Sequence, residues 1–90
     1  MRIWKYIIRT TDVIAVTMPR GAKILCVQIQ REEPCIWALV DPNATIETRW
    51  LRIYGTGHPI DELGEYVGTY QLHNGSLIFH VFDVTKGALP

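Results

Sequence analysis

Several features are scarce in this sequence, and each scarcity excludes a class of protein. No run of apolar residues approaches the roughly 18 that a membrane-spanning helix needs. Nine basic residues are balanced by nine acidic ones, so the chain has no net charge for gripping a phosphate backbone non-specifically. The N-terminus alternates polar and apolar residues and lacks the continuous apolar region of a secretory signal. We therefore expect a cytoplasmic protein with neither a membrane nor non-specific nucleic acid as a partner.

The residue types that carry catalysis are also sparse. The single serine, Ser76, stands beside a predicted hairpin turn, where a nucleophile would be exposed and far from an oriented base. No glycine-rich loop of the kind that cradles phosphates opens a helix. The acidic residues Asp61, Glu62 and Glu65 share one loop, where acidic side chains ordinarily serve as solvated surface. The sequence therefore predicts a protein that is not an enzyme, with no catalytic residue and no cofactor.

No Cys-x-x-Cys or Cys/His spacing supports a structural zinc site, which needs four clustered ligands, and nothing supports metal binding by His58, His73 and His80. If Gln30 faces Cys35 across a four-residue turn, Cys26 lies opposite Leu39, and the cysteines are about 13 Å apart along the sheet. A disulfide needs Cα atoms within about 7 Å. We therefore expect two free, buried thiols and no metal site.

Residues that favour strands are abundant. Eleven isoleucines, seven valines and eight threonines stand against five alanines and seven leucines, and branched side chains pack well on a pleated sheet. Glycines and prolines divide the chain into short segments, which predicts an all-β fold: a small antiparallel β-sandwich or open barrel of about seven short strands. The predicted strands are residues 2–8, 13–17, 22–30, 35–41, 47–54, 66–73 and 77–83, with one candidate helical turn at 60–63. One domain spans residues 1–84, and residues 85–90 are expected to form a flexible tail.

The dipeptide Asn74-Gly75 between two apolar segments predicts a hairpin with a two-residue loop. His73 then faces Ser76, and Leu72 faces Leu77. Opposite partners share a face, so one face, expected to be core, carries Leu72, Leu77, Tyr70, Phe79 and Val81. The other face mixes Gln71 and His73 with the predicted interface residues Val67, Thr69, Ile78, His80 and Phe82. Because this second face is too apolar to be left in water, we expect a loop, a ligand or another subunit to cover it.

The segment around residue 55 is the best candidate for a ligand site. Alternation along the fifth strand places Trp50, Arg52 and Tyr54 on one face, where rings can stack an aromatic ligand and the guanidinium can pair with a phosphate. Thr56, Gly57 and His58 follow, and glycines on both sides of a threonine can expose backbone N–H groups to an anion. The alternatives are an arginine that covers an aromatic edge and a loop that needs glycine torsions, with His58 capping it.

Five segments of the chain resemble a family of short proteins of unknown function found largely in bacteriophage and prophage genomes. They are residues 20–28, 34–42, 52–59, 64–69 and 77–82, which read RGAKILCVQ, PCIWALVDP, RIYGTGHP, GEYVGT and LIFHVF. The resemblance covers nearly the whole chain and supplies no activity and no catalytic residues. It implies a small viral protein that works in the cytoplasm of a bacterial host.

Three functions are open at this point. The first is a non-enzymatic phage-type binding protein, an anti-defence sponge that sequesters a small anionic, nucleotide-like immune signal at Trp50, Arg52, Tyr54 and residues 56–58. The second is a protein-interaction module that inhibits a host protein or serves as a minor virion or assembly component, with Ile78 and Phe82 in the contact. Both imply a homo-oligomer, because a small β domain has strand edges to hide. The third is a small enzyme with His58 or His80 as general base.

Overall fold

The computed structural model describes residues 1–86, which form seven strands and no helix. The strands are β1 (Arg2–Ile7), β2 (Val13–Pro19), β3 (Lys23–Gln30), β4 (Glu33–Val40), β5 (Ile46–Gly55), β6 (Glu65–Leu72) and β7 (Leu77–Asp83). The all-β prediction is therefore confirmed. Residues 87–90 of the predicted tail lie outside the described residues. Within the described part of that tail, the Thr85 hydroxyl donates to Asp83 and accepts from the backbone N–H of Trp50.

The strands form two antiparallel sheets that pack face to face without closing into a barrel. One sheet has three strands in the order β1-β4-β3, and the other has four in the order β2-β5-β7-β6. Branched and aromatic side chains on the facing surfaces fill the space between them, as expected for a sandwich. The most deeply buried of these apolar side chains are Met18, Ile36, Val40, Leu51 and Val81.

At Gly68 on β6 the two sheets approach each other closely. A methyl group added to Gly68 would lie 2.7 Å from Cγ1 of Val27 on β3 and 3.4 Å from the backbone nitrogen of Val27. Only a hydrogen fits in that space, so this glycine brings β6 of one sheet against β3 of the other.

The register predicted for the last hairpin is confirmed from Leu72 and Leu77 onward, whereas His73 and Ser76, predicted to face each other across a two-residue loop, belong to the turn. Leu72 pairs with Leu77, and each following pair matches the prediction as far as Gly68 with Val81. Beyond that point a bulge between Tyr66 and Gly68 shifts the ladder. The bulge corrects one predicted side-chain position, because Val67 packs against the core instead of lying on the second face. A second position is corrected at the other end of the hairpin, where Leu77, next to the turn, is 43% exposed instead of buried.

The β3–β4 connection differs from the prediction. Arg31 and Glu32 both adopt left-handed torsions and make a two-residue turn, so Gln30 faces Glu33. The four-residue turn was wrong, and so was the pairing that followed from it. Cys35 lies opposite Gln28, and Cys26 lies opposite Trp37. Both thiols are free as predicted; Cys35 is buried, whereas Cys26 is half-buried.

Two further local predictions were wrong. The chain bends at residues 61 and 62, and residues 60–63 contain no helical turn. The chain was expected to break at residues 18–21, but β2 continues through Met18 and Pro19. The proline is tolerated because β2 is an edge strand, where a missing N–H breaks no ladder between strands.

Candidate functional site

A loop covers part of the outward face of the four-stranded sheet. Tyr54 points away from the core, yet it is only 6% exposed because residues 56–64, here called the covering loop, fold over it. The Tyr54 hydroxyl accepts a hydrogen bond from the backbone N–H of Glu62 at 3.1 Å and donates to the Glu62 carbonyl at 2.8 Å. Burial raises the pKa of the Tyr54 hydroxyl above its usual value. Of the three covers considered from the sequence, a loop accounts for this part of the face.

Arg52 is neutralised by side chains of the same loop. Its guanidinium lies 3.0 Å from carboxylate oxygens of both Asp61 and Glu62, and it also donates to the carbonyl of Asp12 at 3.2 Å. It stacks over the Tyr54 ring at 5.0 Å from the ring centroid. The hydrogen bond to Glu62 raises the pKa of Arg52 above its ordinary value. Arg52 therefore covers an aromatic side chain, Tyr54, as in the alternative interpretation of this segment.

Three of the six predicted ligand residues line one cavity. Arg52, Tyr54 and His58 surround a space of about 430 Å³ together with residues 10–12 and Asp61; we call it the Arg52 cavity. Its charged lining is one guanidinium and the carboxylates of Asp12 and Asp61, so an anion entering it must compete with acidic groups already present. Trp50, Thr56 and Gly57 do not line it.

In the loop that contains Gly55 and Gly57, two backbone N–H groups already donate hydrogen bonds within the protein. The N–H of Thr56 donates to the carbonyl of Ile78 at 3.2 Å, and the N–H of His58 donates to the carbonyl of Gly55 at 3.1 Å. Gly57 has a left-handed φ of 87°, which favours glycine. A methyl group on Gly55 would lie 3.1 Å from ring atoms of His58, so the imidazole packs directly on this glycine. These contacts match the alternative of a loop that needs glycine torsions and is capped by His58.

Sequence reasoning missed that His80 is held from both sides. Its Nε2 lies 2.6 Å from the hydroxyl of Thr56, and its Nδ1 lies 2.9 Å from the hydroxyl of Thr69. Thr69 in turn contacts the hydroxyl of Tyr66 at 2.5 Å. A neutral imidazole donates from one nitrogen and accepts at the other, so the two threonines fix its orientation. The hairpin register predicts that Thr69 lies opposite His80, so the contact with Thr69 could have been inferred from the sequence, whereas the contact with Thr56 could not.

The other predicted interface residues have separate surroundings. Phe82 packs edge-on against Tyr54 and Tyr66, with ring centroids 6.0 and 5.6 Å apart. Ile78 is half-buried. Thr69, Ile78, His80 and Phe82 therefore share the outward face of the four-stranded sheet, and only Val67 of the five predicted interface residues packs against the core instead.

A second cavity, of about 510 Å³, lies between the β2–β3 turn and the start of β6, and we call it the Arg49 cavity. Arg49 there contacts Asp83 at 2.5 Å and donates to the carbonyl of Ala22 at 2.7 Å. Glu47 accepts the N–H of Gly21 at 3.1 Å. Sequence reasoning did not identify this cavity, although alternation had placed Arg49 on the same face as Leu51 and Ile53. A basic side chain on a core face requires an acidic partner, so the position of Arg49 alone could have indicated a buried ion pair here.

Residues 1–86 contain neither a cluster of metal-binding side chains nor a membrane-spanning helix. No three side chains among their histidines, cysteines, aspartates and glutamates come close enough together to hold a metal ion. Nor do these residues include a helix long and apolar enough to span a membrane.

Comparison with protein families places the chain. Residues 1–89 match the model of a domain of unknown function, DUF7352, and the chain belongs to that family. Neither the curated proteins nor the solved structures contain a significant match.

Proposed function

We propose that this member of a family of unknown function is a non-enzymatic phage-type binding protein that sequesters a small nucleotide-like immune signal in the cytoplasm of a bacterial host. The observation that supports this proposal is the Arg52 cavity, where Arg52, Tyr54 and His58 come together. Its volume of about 430 Å³ falls within the range of small-molecule sites.

In this proposal Arg52 changes partners when the ligand binds. Asp61 is 75% exposed, and exposed ion pairs of this kind contribute only about 0–1 kcal/mol. A phosphate that accepts two hydrogen bonds from the guanidinium competes well with such a carboxylate. The covering loop then shifts at Asp61 while Glu62 stays anchored to the Tyr54 hydroxyl.

The roles of the aromatic groups follow from their exposure. Tyr54 is buried beneath Arg52 and the covering loop, so it positions the guanidinium and does not stack a base. His58 is exposed and lines the cavity, so its ring is the surface against which the base stacks. Trp50 lies outside the cavity and takes no part in this form of the proposal.

Calorimetric titration with linear and cyclic nucleotides at millimolar concentration tests the proposal. Arg52→Gln is expected to lose binding. Asp61→Asn is expected to tighten it by up to about fivefold, because a competing carboxylate is removed. Glu32→Gln, which removes an exposed carboxylate from the β3–β4 turn, is the matched control and leaves affinity unchanged. The proposal fails if no nucleotide binds the wild-type protein, or if Asp61→Asn binds no better than Glu32→Gln.

A second candidate function, a protein-interaction module, is favoured by the outward face of the three-stranded sheet. Ile3 and Ile7 on β1 are 61% and 56% exposed, and they flank half-buried Trp37 and Leu39 on β4. Exposed apolar groups on one sheet face are typical of contact surfaces. In this form the protein inhibits a host protein or serves as a minor virion or assembly component.

Affinity capture from host lysate with paired variants tests this second candidate. Ile7→Lys places a charge on the apolar face, whereas Leu63→Lys places one on the exposed covering loop. The expected result is a stoichiometric protein that is recovered by the wild type and by Leu63→Lys but lost with Ile7→Lys. Recovery by all three, or by none, would count against this surface.

A further inference from the structure

Strand β1 has a free hydrogen-bonding edge. It pairs with β4 on one side only, because the order of its sheet is β1-β4-β3. The N–H of Ile8, just after β1, donates to the carbonyl of Pro34. Backbone groups alternate direction along an antiparallel strand, so those of Tyr6, Trp4 and Arg2 also point to β4. The N–H and C=O groups of Ile3, Lys5 and Ile7 therefore point away from the protein.

Of the four edge strands formed by the described residues, β1 alone carries none of the usual structural protections against pairing. β3 has a bulge between Ile24 and Cys26, β6 has one between Tyr66 and Gly68, and β2 contains Pro19. The register of β1 with β4 is unshifted over all its pairs, and its sequence, RIWKYI, contains no proline. Bulges and prolines are devices that keep strand edges from pairing with other chains.

Of the two charged residues on β1, Arg2 stands at the start of the strand, and Lys5, in its middle, is directed away from the free edge. Lys5 lies on the outward face of the sheet, and its Nζ donates to Gln30 on β3 at 2.6 Å. On the way it passes over the ring of Trp37, 5.9 Å from the centroid. The ammonium is therefore drawn across β4 to the opposite edge of the sheet, and it does not stand in front of the β1 edge.

We propose that β1 pairs antiparallel with β1 of a second copy, about a two-fold axis at Trp4, and joins two three-stranded sheets into one continuous sheet. Symmetric pairing must keep each residue on its own face. In this register Ile3 and Lys5 of the two copies exchange both of their outward hydrogen bonds. Trp4 meets Trp4 of the second copy at a non-hydrogen-bonded position, where cross-strand side chains come closest.

The alternative register centred on Lys5 sets the two lysines directly opposite each other, so it depends on both ammoniums remaining in their contacts with Gln30, and the register centred on Trp4 is favoured because it carries no such requirement. In the register centred on Trp4, each Lys5 faces Ile3 of the second copy instead. The net charge of zero means that two copies do not repel each other as a whole.

The mass of the protein in solution tests the pairing, and it does so without any ligand, so its outcome is separate from that of the nucleotide titration. Light scattering is expected to give twice 10.3 kDa for the wild type. Trp4→Lys places two cations at the axis and is expected to give 10.3 kDa, whereas Trp50→Lys, at another partly exposed tryptophan, remains dimeric. A monomeric wild type, or a dimeric Trp4→Lys, would overturn the proposal.

Cross-linking tests the register itself. In a Cys26→Ala, Cys35→Ala background that retains the β-sheet circular dichroism spectrum, Trp4→Cys is expected to form an intermolecular disulfide on mild oxidation. Lys5→Cys is expected to form none, because its counterpart is Ile3. Cross-linking of Lys5→Cys without Trp4→Cys would show that the axis has been placed wrongly.

Discussion

The guanidinium of Arg49 lies 2.5 Å from the carboxylate of Asp83, and this pair joins β5 to the end of β7 on the face that looks into the sandwich. Only 9% of the Asp83 side chain is exposed. Arg49 also donates to the carbonyl of Ala22, so the pair ties the four-stranded sheet to the chain that enters β3. Thr85 donates to the other carboxylate oxygen from both its N–H and its hydroxyl.

Loss of the Asp83 charge is expected to destabilise the fold. Asp83→Asn leaves the largely buried guanidinium of Arg49 with only the more distant carboxylate of Glu47, at 3.9 Å, at a cost of about 2–3 kcal/mol. Asp61→Asn, at an exposed carboxylate, is expected to cost less than about 1 kcal/mol. Urea unfolding at pH 7 measures both. Equal effects of the two substitutions would contradict the assignment of Asp83 as a structural anchor.

The carboxylate of Asp83 also predicts that the free energy of unfolding decreases at acid pH. Burial alone would raise the pKa of Asp83, but hydrogen bonds from Thr85 and Arg49 outweigh it, and the pKa lies below the usual 3.8. A group with a lowered folded pKa stabilises the protein fully above its unfolded pKa and stops doing so as the pH falls through the folded one. The free energy of unfolding should therefore fall below about pH 4, and Asp83→Asn should flatten that part of the curve.

Gly68 should not tolerate a side chain while Val27 is present. Gly68→Ala is expected to cost about 1–3 kcal/mol through overpacking against Cγ1 of Val27. In a Val27→Ala background that penalty should shrink, because the opposing methyl group is gone, and a double-mutant cycle measures the difference. Gly64→Ala serves as the contrast. Its Cβ would clash with the backbone carbonyl of Asp83, so the Val27→Ala substitution is not expected to reduce its penalty. A Gly68→Ala penalty that is unchanged in the Val27→Ala background would show that the strain lies elsewhere.

The covering loop should depend on the hydroxyl of Tyr54. Tyr54→Phe removes both hydrogen bonds to the backbone of Glu62 and is expected to cost about 1–2 kcal/mol. Hydrogen exchange at the Glu62 amide should quicken accordingly. Tyr66→Phe, at a largely exposed tyrosine, should leave that amide unchanged. Equal exchange in the two variants would mean that the loop is held by other contacts.

The two thiols should differ in reactivity. Cys26 is half-buried and Cys35 is buried, so a thiol reagent should modify Cys26 first in the folded protein. Both should react once the chain is unfolded in urea. Mass spectrometry of partially labelled protein gives the order, and Cys26→Ala should abolish the early phase. Early labelling of Cys35 would contradict the burial seen on β4.

Much of the fold follows from local sequence. The excess of branched residues specifies strands, and Asn74-Gly75 places a turn that sets the register of β6 and β7 up to the bulge. At Arg31 and Glu32 no glycine or asparagine signals left-handed torsions, so the two-residue turn and the pairing of Cys26 with Trp37 were not predictable from local sequence. The Val67 bulge likewise depends on how β6 meets its neighbours, not on the residues of β6 alone.

Strand content, the faces of β5 and the register of the last hairpin can be read from short stretches of the chain, because each depends on torsions and alternation over a few neighbouring residues. Three relationships arise only when distant segments pack together: Arg52 is held by the covering loop, Arg49 meets Asp83 across 34 positions of the chain, and the outer edge of β1 pairs with no other strand of residues 1–86. Those relationships depend on which distant segments pack together. A local pattern cannot encode that choice, because burial and charge pairing are settled by the whole core at once.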